Sequence, residues 1–146
     1  MCTHVKANMT HKYDDLKLKI EEALERCIAE RIQKCIENAE CDAAAAYELG
    51  IRHLHGWHLP VNYKQAKQYL LNASAKGHIL ACYELCCMHI DGDHRLDVVR
   101  DLNAAQKYVD LGCTPDALVT EDYTKLQMMN KVILAYRARE TNYYAF

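Results

Sequence analysis

Histidines and cysteines are the residues of this chain whose types and spacing could hold a metal ion. His53, His55 and His58 lie within six residues, and His89 follows near several thiols. The thiols that could complete a zinc-like site are Cys82, Cys86 and Cys87. The favoured interpretation is that His53 and His89 pack and make one hydrogen bond each, while His55 and His58 flank a loop in solvent. We therefore predict no metal and no cofactor, with a thiol- and histidine-rich metal or cofactor binder as the alternative.

A thiol–imidazole pair is the second kind of chemistry that the residues allow, with Cys86 or Cys87 as nucleophile and His89 as base. On a helix Cys86 and His89 share a face, but that face is the predicted core, where burial raises the pKa of a thiol. The chain has no glycine-rich phosphate loop and no nucleophile elbow. We predict that the protein is not an enzyme, and a cysteine-dependent enzyme is the weaker alternative.

The number of cysteines, eight in all, needs its own explanation. None forms a Cys-x-x-Cys motif, which disfavours zinc-ribbon and thioredoxin-like chemistry. Most fall inside predicted helices, where a free thiol behaves as a small hydrophobic side chain. Buried thiols are the prediction, and disulfides or metal ligation are the alternatives.

Composition and charge exclude several classes of protein. A chain of 146 residues with only five glycines and two prolines favours one helical domain. A net charge of −2 provides no electrostatic attraction to a phosphate backbone, so nucleic acid is not an expected partner. The N-terminus has no signal-peptide core, and no apolar run is long enough to span a membrane. The expected location is cytoplasmic, with non-classical delivery into a host cell as the alternative.

An internal repeat organises the middle of the chain. The sequence AAYEL at residues 45–49 recurs as ACYEL at 81–85, an offset of 36 residues that also relates His53 to His89. Further along, AKQY at 66–69 corresponds to AQKY at 105–108 with an offset of 39 residues, so the second copy has a longer loop between its helices. Each copy predicts two helices. In the first copy Asp42 and Asn62 are the expected N-caps, and Gly56 and Gly77 the expected helix stops.

These residues match a known repeat pattern. The matching positions are Tyr47, Glu48, Leu49, Gly50, His53, Gly56, Leu59, Asn62, Gln65, Ala66, Tyr69, Ala73, Ala75 and Gly77. The pattern resembles the Sel-one-like repeat, a relative of the tetratricopeptide repeat. His58 stands where that family has a second loop glycine, and Cys86 replaces the helix glycine in the second copy. The resemblance implies an all-α fold, a short right-handed α-solenoid of helical hairpins with N- and C-terminal capping helices, and a role in protein–protein interaction.

The flanking segments complete a single predicted domain over residues 1–146. Residues 12–40 form an amphipathic stretch that we expect to cap repeat one, at 42–77, or to make a homodimer. Repeat two occupies 78–113. Thr114 and Pro115 predict the start of a C-terminal helix or degenerate repeat over 114–140.

The predicted binding surface is the concave side, which the first helix of each pair lines in a solenoid. Its residues are Tyr47, Glu48, Arg52, His55, Tyr83, Glu84, Met88 and Asp91. A second candidate is the loop of residues 91–101, since insertions in repeats often serve binding. We expect an adaptor or inhibitor that binds one protein partner, as a monomer or as a homodimer through the N-terminal helix.

Overall fold

The computed structural model describes the backbone of residues 2–144 and the side chains of residues 9–143. Within that part of the chain there are six α-helices and one short 3-10 turn, and the only β pairing is an isolated bridge between Asp93 and Val98. The helices are α1 (Cys2–Asn38), α2 (Ala43–His55), α3 (Tyr63–Ala75), α4 (Ile79–Asp91), α5 (Leu102–Gly112) and α6 (Glu121–Tyr144), with the 3-10 turn at His94–Leu96. The all-α prediction is confirmed.

The chain divides into two compact units, Met1–Lys34 and Cys35–Phe146. The first unit consists of the greater part of α1, which begins earlier than the predicted start near residue 12. Along this helix Leu16, Ile20 and Leu24 follow one another at four-residue intervals, and each is more than half exposed. This unit therefore carries an apolar stripe on its surface. The assignment of residues 12–40 as a capping helix stays a prediction.

The second unit is built from two helical hairpins, α2–α3 and α4–α5, which are joined through packing of α3 on α4. In the first hairpin both N-caps are those that the sequence predicts. The Asp42 carboxylate accepts a hydrogen bond from the backbone N–H of Ala44 at 2.9 Å, and the Asn62 amide oxygen accepts one from Gln65 at 3.1 Å. Gly56 ends α2 with a φ of 70°, a left-handed conformation that glycine adopts without steric cost.

Small residues let the helices of the first hairpin approach closely. Ala46 and Ala66 are fully buried, and a Cβ atom added to Gly50 would lie 3.0 Å from Leu70 Cγ. In the second hairpin Cys86 stands in place of that glycine, and Val109 stands in place of Leu70. The larger side chain on one helix is thus matched by a smaller one on the other.

The last helix closes the second hairpin. Helix α6 packs on α4 and α5, where Leu126 and Ile133 are fully buried. They belong to one hydrophobic cluster with Cys82, Cys86, Ile90, Ala105 and Val109. The core of repeat two is therefore completed by a segment that lies outside the repeat in sequence.

The predicted start of the C-terminal helix at Thr114 and Pro115 is wrong. The backbone N–H of Ala117 donates to the carbonyl of Thr114 at 3.0 Å, which closes a turn instead of starting a helix. Helix α6 begins seven residues later at Glu121, where the hydroxyl of Thr120 accepts a hydrogen bond from the N–H of Tyr123 at 3.2 Å. Both segments have cap-forming residues, and the second also places two acidic residues in the first turn.

Candidate functional site

A histidine holds the loop of each hairpin in the same way. His53 Nδ1 lies 3.1 Å from the carbonyl oxygen of Pro60, and its ring stacks on Tyr69 with centroids 6.0 Å apart. In repeat two His89 Nδ1 lies 3.3 Å from the carbonyl oxygen of Val99, and its ring stacks on Tyr108 at 5.5 Å. The prediction that both histidines pack and make one hydrogen bond is confirmed. They position the loops that border the candidate site.

The predicted binding residues lie on one face of α2 and one face of α4, which we call the first-helix face. Its members are Tyr47, Glu48, Arg52, His55, Tyr83, Glu84, Met88 and Asp91. On α2 the guanidinium of Arg52 pairs with the Glu48 carboxylate at 2.9 Å, and both side chains are only 15% and 21% exposed. The thiol of Cys35 donates to the other Glu48 oxygen at 3.5 Å. This carboxylate is therefore neutralised within the chain.

Trp57 extends the first-helix face at the end of α2, and the sequence did not single it out. Its side chain is 55% exposed, yet its ring stacks on that of His55 with centroids 4.6 Å apart. Arg52 donates to its carbonyl oxygen at 3.4 Å. The tryptophan is thus held in position and open to solvent. The signal that could have found it is the type of residue, since this is the only tryptophan in the chain.

Tyr47 links the two hairpins. Its ring stacks on His78 with centroids 4.5 Å apart, and His78 caps α4 by accepting the N–H of Ala81. Burial raises the pKa of Tyr47, helped by the negative charges of Glu84 and Asp122. Tyr47 is half-buried, so it serves packing and is also partly open to solvent.

In repeat two the first-helix face is built differently. Tyr83 is half-buried, packs against the core cluster and is hydrogen-bonded to Cys87. Met88 is buried at 9% exposure, so it contributes packing, and its role in binding stays a prediction. Asp91 is exposed at the end of α4, and Glu84 is half-buried. Burial raises the pKa of Glu84, an effect that the charge of His55 partly offsets.

The loop of residues 91–101, the second candidate for binding, is folded onto its neighbours. Asp93 pairs with Arg95 at 2.8 Å, which braces the 3-10 turn. Arg100 donates to the carbonyl oxygen of Ile90 at 3.0 Å and pairs with Glu140 of α6 at 2.8 Å. The longer loop of repeat two therefore serves as a brace between α4 and α6.

Two thiols of repeat two, those of Cys82 and Cys86, lie in the core, and those of Cys87 and Cys113 are partly buried. Burial raises the pKa of Cys82 to about 11 and that of Cys86 to about 12, the opposite of the activation that a nucleophile needs. None of the seven cysteines with described side chains forms a disulfide, and among them Cys27 and Cys41 are exposed. Cys2 lies outside the described side chains. Within residues 9–143 no three histidine, cysteine or acidic side chains converge as a metal site would require.

The two hairpins described above are also matched by a model of a known protein family. The Sel1 repeat model matches residues 43–78 and 79–113, within one residue of the predicted bounds. The chain carries two Sel1 repeats. Such repeats are typically modules for protein interaction, and the family is generally a non-enzymatic scaffold. No curated protein and no solved structure matches the chain. Among the described residues, no helix has both the length and the hydropathy that crossing a bilayer requires.

Proposed function

We propose that this Sel1 repeat protein is a non-enzymatic adaptor or inhibitor that binds one protein partner through the first-helix face and the adjoining Trp57. The observation that carries the proposal is the exposed ring of Trp57, stacked on His55 and held beside Arg52. Tryptophan, tyrosine and arginine are the side chains that contribute most to protein–protein binding energy. A tryptophan that is ordered before binding loses little conformational entropy on contact.

The test is affinity capture of the tagged full chain from the lysate of its source, beside the variant Tyr47→Ala/Trp57→Ala. Tyr83 is left intact because it packs against the core. Leu134→Ala is the matched control, since this side chain is 61% exposed and does not belong to the first-helix face. We expect one stoichiometric partner that the wild type and the control retain and the double variant loses. A folded double variant that keeps the partner would contradict the proposal and favour the loop of residues 91–101 as the binding site.

For self-association we propose the surface of α1 in the first unit. Leu16, Ile20 and Leu24 form an exposed stripe, and charged residues such as Glu21 and Glu25 flank it, a pattern that suits a helix pairing with a second copy. Sedimentation of the wild type should show a dimer that the variant Leu16→Glu/Ile20→Glu dissociates. A wild type that stays monomeric at every concentration tested would overturn this assignment.

A further inference from the structure

The two repeats differ in whether the glutamate at one position of the first-helix face has a cationic partner. Glu48 and Glu84 occupy equivalent places at an offset of 36 residues. Four residues further along, repeat one has Arg52, which pairs with Glu48 at 2.9 Å, and repeat two has Met88. Within residues 9–143 no ion pair or hydrogen bond to the Glu84 carboxylate is formed. Repeat one thus supplies its own cation, and repeat two leaves the position open.

A half-buried carboxylate without a cation destabilises the fold that holds it. Removing charge from water costs free energy unless a partner charge or hydrogen bonds compensate. Glu84 is partly desolvated in this way, and His55, from the preceding repeat, acts on it electrostatically. Retaining such a group on a predicted binding face is expected where the missing cation arrives with a ligand.

The surroundings of Glu84 favour a planar cation. His55 acts electrostatically on Glu84, and its ring stacks on that of the exposed Trp57 with centroids 4.6 Å apart. A guanidinium can pair with a carboxylate through two hydrogen bonds and stack on an aromatic face as well. Tryptophan is the aromatic ring that attracts cations most strongly. Arginine meets both features at once, and an ammonium group lacks the fork and the planar surface.

We propose that the occupant of the first-helix face is a segment of another protein that presents an arginine, whose guanidinium pairs with Glu84 beside the ring pair of His55 and Trp57. This inference rests on the proposed function and specifies its partner. The arginine supplies to Glu84 the positive charge that Arg52 supplies to Glu48 in repeat one. Charge complementarity at a single position thereby sets the register in which the segment binds.

The probe is a phage-displayed library of random twelve-residue peptides, selected on the immobilised full chain. Peptides that are enriched are synthesised, and their Kd is measured by fluorescence polarisation with the wild type, Glu84→Gln and Glu40→Gln. Glu40 is an exposed glutamate that does not belong to the first-helix face, and it makes the matched control. Each peptide is also made with citrulline in place of its arginine, a neutral side chain of nearly the same shape.

We expect enriched peptides to share an arginine at one fixed position. Glu84→Gln should weaken their binding by about tenfold, citrulline should weaken binding to the wild type by a similar factor, and the two changes together should cost little more than either alone. Glu40→Gln should leave the Kd unchanged. This coupling is specific to a contact between the two groups, and a merely structural role for Glu84 would not produce it.

The outcomes that overturn the inference differ from those that overturn the proposed function. Peptides that lose binding in Trp57→Ala but have no fixed arginine, or bind Glu84→Gln as tightly as the wild type, would contradict the arginine contact and leave the binding face standing. A fixed lysine would contradict the choice of cation. Peptides that bind Tyr47→Ala/Trp57→Ala as tightly as the wild type, or a selection without enrichment, would contradict the proposed function itself.

Discussion

The two Sel1 repeats share the contacts that hold a hairpin together and differ in the residues that close it and face outward. In both, a histidine reaches a loop carbonyl and stacks on a tyrosine of the second helix. Repeat one pairs Glu48 with Arg52 and uses Gly50 for close packing, whereas repeat two leaves Glu84 open and has Cys86. The shared positions are those that shape the hairpin, and the differing ones depend on what each repeat contacts.

The thiols show this difference most clearly. Repeat two has Cys82, Cys86 and Cys87 where repeat one has Ala46, Gly50 and Ile51. Cys82 and Cys86 belong to the cluster that α6 completes, so their neighbours come from beyond the repeat. Repeat two has adapted its core to a terminal helix, and repeat one to another hairpin.

The largest expected effect concerns the reactivity of those thiols. In the folded protein at about pH 7.5, Cys82 and Cys86 should react with iodoacetamide at least about a hundredfold more slowly than the exposed Cys27 and Cys41, because burial blocks access and raises their pKa. Mass spectrometry of timed digests measures each rate. In urea the difference should vanish. Fast labelling of Cys86 in the folded state would contradict the core assignment and favour the cysteine enzyme.

Replacing Gly50 and Leu70 by their counterparts in repeat two should show that the two positions are matched in size within each repeat. Gly50→Cys should lower the free energy of unfolding by about 2 kcal/mol, since the new Cβ would lie 3.0 Å from the buried Leu70. Gly50→Cys/Leu70→Val imports both residues of repeat two and should recover part of that loss. Urea unfolding followed by circular dichroism at 222 nm measures both. A single variant as stable as the double variant would refute the compensation.

The equivalent glutamates should respond in opposite directions to the same change. Glu48→Gln should lower the free energy of unfolding by about 1 kcal/mol because it weakens the pair with Arg52. Glu84→Gln should raise the free energy of unfolding at about pH 7.5, because burial raises the pKa of this carboxyl in the folded state and its ionisation therefore disfavours folding.

The pH dependence checks the sign of the second effect. Below the unfolded pKa the carboxyl of Glu84 is protonated in both states, so at about pH 4 the gain from Glu84→Gln should disappear. Thermal unfolding of both variants at the two pH values gives the comparison. Equal destabilisation by both substitutions at about pH 7.5 would mean that Glu84 has a cation within the folded chain after all.

The smallest expected effect lies in the loop of repeat one. His58 has a φ of 59°, in the left-handed region that costs a non-glycine residue about 1 kcal/mol. His58→Gly should therefore raise the free energy of unfolding by about 0.5 kcal/mol, after the greater freedom of glycine in the unfolded chain is included. Gln68→Gly, at an exposed position inside helix α3, is the control and should lower it. A loss of stability in His58→Gly would show that the histidine side chain stabilises the loop.

The elements with local signals could be predicted from the sequence. Asp42, Asn62 and Gly56 fix the first hairpin through bonds to residues only a few positions away, and their roles are confirmed. The start of α6 was missed because Thr114 and Thr120 both have the chemistry of a cap, and packing against other helices selects between them. The exposure of Trp57 was missed for a similar reason, since it depends on how the loop folds over Arg52.

The dependence of repeat two on α6 has a consequence for the protein during its synthesis. Hairpin α2–α3 has its internal partners as soon as residue 77 has left the ribosome, because its helices are adjacent in sequence. The cluster around Cys82 and Cys86 is incomplete until Leu126 and Ile133 have been synthesised, and both follow the whole of repeat two. For that interval the thiols of the nascent second repeat remain open to oxidants and to chaperones, and the arrival of the last helix removes them from both.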